Sequence, residues 1–226
     1  MSSYFGNKYF TMLPSIIQDN FLDNNLIDSI AQTVLSANNV YQDYQSDKQL
    51  HSHYYTWKFY NPNFRNIHDL LLPLFQEHSK LKLIVDHSHI LDSCIPYKVH
   101  TDYYQHGAIS KLNPAYTIII PLDTCPTHTI AFNQSSKIKG FVEYCRTEHP
   151  EIISEDLRIS KETRQQYLSH VSDDLLDYLT IKEIFAWKKG SAYFCDRKYF
   201  HCSDNYIAQG LTNKRALIFW TSVIEK

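Results

Sequence analysis

From residue 82 onward the chain falls into short runs of β-branched and aromatic residues, each closed by Pro, Asn, Asp or Gly. The runs at 83–91, 97–103, 115–122, 127–132, 184–188, 191–195 and 215–223 have the length and composition of strands, and Lys189-Gly190 marks a turn between two of them. A charged stretch at 137–179 interrupts the series and reads as mostly helical, most clearly at 173–179. Two helices precede the strands. With Asp23 as N-cap, Leu22 and Ile27 take the positions of a hydrophobic staple, and Leu26, Ile27, Ile30, Val34 and Leu35 carry the apolar stripe to about residue 37. The second helix, at 64–78, is marked by Ile67, Leu70, Leu71, Leu74 and Phe75, and Pro73 should kink or interrupt it. Residues 14–18 and 51–60 read as further strands. This order predicts a mainly β fold with supporting helices, a barrel or jelly roll braced by N-terminal helices and carrying one helical insertion. No repeat or linker divides the 226 residues, so 1–226 are expected to form a single domain, with the insertion placed where a lid could close.

Within this frame one local pattern reads as chemistry. In YKVHTDYY, at 97–104, His100 and Asp102 stand two residues apart. On a strand, side chains at i and i+2 leave the same face, so an imidazole and a carboxylate would share one space. Two histidines and one carboxylate on one face of a metal are the mark of a non-heme Fe(II) oxygenase. A third ligand must come from elsewhere. His201, in CDRKYFHCSDN, follows the 191–195 run, and Arg215 opens the last strong strand, RALIFWTSV.

The order HxD, long gap, His, then a basic residue at a strand start resembles the 2-oxoglutarate/Fe(II)-dependent oxygenase superfamily, nearest its prolyl-hydroxylase-like and phytanoyl-CoA-hydroxylase-like branches. The resemblance spans about 97–221. It implies a double-stranded β-helix, with His100, Asp102 and His201 as iron ligands and Arg215 holding the distal carboxylate of 2-oxoglutarate. Tyr97 fits the Y-x-x-H-x-D form found in part of the family and would line the cosubstrate pocket. The implied reaction is hydroxylation of a small-molecule or peptide substrate by O2, with oxidation of 2-oxoglutarate to succinate and CO2 and ascorbate in a supporting part. The carboxylate at 102 favours hydroxylation, because halogenating members lack it. An R-x-S arrangement is missing: Leu217 stands where some branches carry Ser, so a hydroxyl for the cosubstrate carboxylate would come from Thr117 or Tyr116.

Competing readings stay open at this level. Lys214 rivals Arg215, since neighbours on a strand face opposite ways and a register error swaps them. His128 rivals His201. The pairs His51-His53 and His87-His89 would suit a cupin-type metalloenzyme without 2-oxoglutarate, and a jelly roll can also be a non-catalytic binding or structural module. Trp187, Trp220 and 118–120 read as core, Cys195 and Cys202 as small buried hydrophobes, and Asp204 and Asn205 as either pocket wall or turn. A net charge of −2 supplies no global basic field, which weighs against nucleic acid and anionic membrane as partners. Five scattered cysteines without a CxxC, together with an N-terminus lacking an apolar signal core, make a reducing cytoplasm the simplest location.

Overall fold

The computed structural model describes residues 12–36, 41–43, 54–56, 62–103, 112–137, 142–143 and 151–223. Strand β1 (Ile16–Gln18) leads into helix α1 (Asn24–Ser36), then β2 (Tyr41–Asp43), β3 (Tyr54–Thr56) and helix α2 (Pro62–Ser79). The Asp23 side chain accepts the Asn25 backbone N–H at 2.8 Å, as an N-cap should, and Leu22 and Ile27 are both buried. Helix α2 runs through Pro73 without interruption. Pro73 lies on the exposed face, where water can take the carbonyl that the missing N–H leaves unbonded.

The strands that follow are β4 (Leu83–Ser93), β5 (His100–Thr101), β6 (Asn113–Pro121), β7 (His128–Ser135), β8 (Val142–Glu143), β9 (Ile181–Ala186), β10 (Ala192–Asp196), β11 (Tyr199–Ser203) and β12 (Lys214–Val223). They pair antiparallel in two five-stranded sheets, ordered β1-β10-β6-β12-β4 and β8-β5-β11-β7-β9. Two sheets facing one another in this order form the expected jelly roll. The strand-like run at 97–103 contracts to the two residues of β5. Strand β11, by contrast, was not foreseen: its YFHCS is short and sits among turn residues, and it puts His201 on a strand rather than after one.

Alternation along the strands separates three cores. One face of β6, β10 and β12, with Ile118, Ile120, Phe194, Leu217 and Phe219, packs under α1 and α2. The opposite face, with Ile119, Tyr193, Cys195, Ala216 and Ile218, meets Ala131 and Phe185 of the second sheet. The outer face of that second sheet, through Ile130, Phe132, Phe200 and Cys202, is covered by Ile159, Leu168, Leu176 and Leu179. These last residues belong to the insertion, which besides β8 carries a 3-10 turn (Glu155–Leu157) and the short helices α3 (Lys161–Tyr167) and α4 (Asp173–Leu176). This part of the insertion therefore backs the sheet that carries His201. The acidic positions Asp173 and Asp177 of the insertion bind Arg164 at 3.3 and 2.8 Å. Among the described residues no helix is long and apolar enough to cross a membrane.

Candidate metal centre

Strands β5 and β11 are neighbours, and the register sets His100 directly opposite His201. Their rings lie 4.5 Å apart between centroids. Asp102 completes the group: its Oδ1 is 3.7 Å from His100 Nε2 and its Oδ2 3.4 Å from His201 Nε2. All three side chains are buried, with one ligand atom from each lying within 4.8 Å of the others. Among the described residues no other such group of His, Cys, Asp or Glu occurs.

The hydrogen bonds around the group suit a metal. His100 Nδ1 meets the Lys98 carbonyl at 2.7 Å and His201 Nδ1 the Tyr199 carbonyl at 3.1 Å. A carbonyl only accepts, so each Nδ1 carries a proton, and each ring turns its Nε2 toward Asp102. Thr117 on β6 donates its hydroxyl to Asp102 Oδ2 at 2.7 Å. Two imidazoles and one carboxylate converging on one point are the donor set that Fe(II) takes in this geometry.

The electrostatics distinguish the two rings. Burial works against charge on Asp102, but His201 and His100 beside it and the Thr117 hydroxyl hold its carboxyl well below the ordinary range. Burial, with His201 adjacent, pushes His100 down to about 4. Burial opposes charge on His201 too, yet Asp102 outweighs it and holds this imidazole above its usual value. One carboxylate thus stays ionised between two histidines of unequal basicity.

The basic residues at the start of β12 fall opposite to expectation. Arg215 faces outward, and its Nε and Nη2 each donate to Asp123 at 2.9 Å in a bidentate pair at the protein surface. Lys214 faces inward on the side of Ala216 and Ile218 and is buried. Ala216, Leu217, Ile218 and Phe219 are buried on both faces of β12, so alternation in the sequence does not show which face is interior, and the register of the strand turns Lys214 inward. The Lys214 ammonium stands 4.2 Å from the Trp187 ring centroid and 5.2 Å from that of Tyr206, and 3.4 Å from the His128 carbonyl. Burial lowers its pKa to about 8, against a partial opposing pull from Asp204.

The remaining candidates separate cleanly. The Tyr97 ring lies 5.3 Å from that of His100, and its N–H is held by Ser203 Oγ at 2.9 Å. His128 is not a ligand in this arrangement: its Nδ1 is 2.9 Å from Asp204 Oδ2 and its ring packs on Tyr167. Asp204 is buried beneath Thr127, His128 and Gln209, which identifies it as structural rather than a solvated turn residue. Thr117 serves Asp102, and Tyr116 donates its hydroxyl to the Pro14 carbonyl under the helices, so neither stands beside Lys214. His87 and His89 pack against Trp220, one tilted and the other edge-on, at 5.3 and 5.7 Å between centroids. Cys195 and Cys202 are buried thiols with raised pKa, that of Cys195 pushed by burial up to about 12. His51 and His53 lie outside the described residues. Sequence reading missed Thr117 as a support for Asp102 and missed Arg197, treated below.

No protein-family model matches the sequence, and no curated protein does. Solved structures do match. The non-heme alpha-ketoglutarate-dependent carbocyclase SnoK from nogalamycin biosynthesis superimposes with a TM-score of 0.56 at 14% identity, over 92% of this chain and 79% of that one. A 2OG-Fe(II) oxygenase family oxidoreductase from Burkholderia pseudomallei gives 0.53 at 10% identity, over 92% and 84%. HygX from Streptomyces hygroscopicus, solved with nickel and 2-oxoglutarate bound, gives 0.53 at 11% identity, over 94% and 83%. The chain has the fold of the 2-oxoglutarate/Fe(II) oxygenases, the jelly roll that the sequence resemblance implied.

Proposed function

We propose that this protein is a non-heme Fe(II), 2-oxoglutarate-dependent oxygenase that hydroxylates a small-molecule or peptide substrate, releasing succinate and CO2. The observation that carries the reading is the buried His100–Asp102–His201 group, with both Nδ1 atoms committed to carbonyls and both Nε2 atoms turned toward the carboxylate. These three residues would hold Fe(II), which when bound with 2-oxoglutarate and O2 supplies the oxidising power. The protein's share is position and exclusion of water. Lys214, not Arg215, is the anchor we assign to the far carboxylate of 2-oxoglutarate. It is the basic side chain on the interior face of β12, and it lies close enough to His201 for its charge to lower the basicity of that imidazole. Tyr97, against His100, borders the same space.

Purified protein supplied with Fe(II), 2-oxoglutarate and ascorbate in air should form succinate slowly without substrate, and faster when a matching small molecule or peptide is added. Asp102→Ala should form none. Succinate production that is equal in wild type and Asp102→Ala would overturn the assignment.

A further inference from the structure

The HxD pair owes less to its strand than its spacing suggests. Only His100 and Thr101 lie in the ladder of β5; Asp102 is already beyond it. A carboxylate ligand placed on irregular backbone needs its position fixed by something else, because a misplacement of about 1 Å weakens a metal site severely. The Thr117 hydroxyl restrains the carboxylate group. The main chain is restrained by a residue from the other end of the fold.

Arg197, in the turn between β10 and β11, is wholly buried. Its backbone N–H is tied to the Ala115 carbonyl at 3.0 Å. Its Nε donates to the Asp102 carbonyl at 2.8 Å, and its Nη1 donates to Asp86 Oδ2 at 2.7 Å and to the Thr221 carbonyl at 3.2 Å. The guanidinium lies 5.5 Å from the Trp220 ring centroid. Asp86 is itself fixed by the Ser222 hydroxyl at 2.6 Å. A planar fork with fixed donor directions holds these acceptors in one geometry, which the single ammonium of lysine cannot do. Burying such a cation is costly, and the group is placed where its donors reach β4, β12 and the residue that carries the carboxylate ligand.

We propose that Arg197 is a positioning residue for the metal centre, clamping the backbone of Asp102 so that its carboxylate meets the two Nε2 atoms. The proposal rests on the metal-site reading above.

The test is equilibrium Mn(II) binding to the metal-free protein, followed by the electron paramagnetic resonance of free Mn(II), with the visible bands of added Co(II) as a record of coordination. Wild type, Arg197→Lys, Asp86→Asn and His201→Ala are compared, and thermal unfolding of each metal-free protein reports its folding. Arg197→Lys should weaken Mn(II) binding about 10–100-fold, as loss of outer supports does at metal sites, and should alter the Co(II) bands. Asp86→Asn, which keeps Arg197 but removes the charge on one of its acceptors, should weaken binding less, by several fold, and it decides the matter if Arg197→Lys does not fold. A merely structural role would lower the unfolding temperature and leave the Mn(II) dissociation constant within twofold of wild type in the folded variants; that result overturns the proposal. Failure of wild type to bind Mn(II), or equal binding by His201→Ala, would instead defeat the metal site itself.

Discussion

At the scale of residues the account turns on which of two adjacent basic side chains faces the interior. Lys214→Met should raise the 2-oxoglutarate dissociation constant by about 10–150-fold, the worth of a hydrogen bond to a charged group, while metal affinity stays nearly unchanged. Arg215→Ala should shift it by less than about fivefold, because that side chain is engaged with Asp123 in an exposed ion pair of small net worth. Titration of 2-oxoglutarate into the two variants checks both. Lys214 also sets a pH dependence. Its pKa in the free protein is lowered to about 8, and only the protonated amine attracts the dianion. Below about pH 8 affinity should therefore be flat in pH from this group. Above it, each binding event must take up a proton, and the dissociation constant should rise about tenfold per pH unit. Isothermal titrations between pH 7 and 9.5 measure this, and Lys214→Met should abolish the slope. The grouping of His100, Asp102 and His201 was legible in the sequence because HxD and a distant histidine need only strand parity and chain order. The inward turn of Lys214 was not, because residues 216–219 are buried on both faces of β12 and alternation does not show which face is interior. Arg197 was invisible for another reason: it acts on a backbone carbonyl, which leaves no trace in residue type.

At the scale of elements, the helices and most strands follow from local pattern, and the exceptions have physical causes. Strand β11 exists because β5 and β7 flank it, a tertiary influence that no window of five residues contains. Helix α2 continues past Pro73 because its other face is anchored by Leu71 and Phe75 in the core. Phe75 touches Phe194 and Phe219 edge-on, so Phe75→Ala should cost about 3–5 kcal/mol of stability without changing Mn(II) affinity in the folded fraction; chemical denaturation and metal titration separate the two. The Lys189-Gly190 turn is equally specific. Gly190 has φ +85°, and a Cβ there would lie 2.8 Å from the Leu22 carbonyl oxygen, the residue whose N–H binds the Gly190 carbonyl. Gly190→Ala should destabilise the protein by about 1–3 kcal/mol, seen as a lower denaturation midpoint with an unchanged slope.

At the scale of the whole molecule, both sheets are covered on their outer faces, one by the N-terminal helices and the other by the insertion. The inner faces are left to hold a row of polar groups that an ordinary core would not tolerate: His100, Asp102, His201, Thr117 and Lys214, all buried. Such a constellation makes sense as a site whose charges are completed by a cation at one end and an anion at the other. The substrate was not legible in the sequence because the loops that would meet it have no periodic pattern to read. In the proposed function, iron and 2-oxoglutarate fill this interior together. The direct measurement is an anaerobic titration of Fe(II) into protein with 2-oxoglutarate, following the weak visible charge-transfer absorption of the chelated cosubstrate. The account predicts the band in wild type, its absence in His201→Ala, and its appearance in Lys214→Met only at much higher 2-oxoglutarate. A folded wild-type protein that shows no band with both ligands in excess would contradict it.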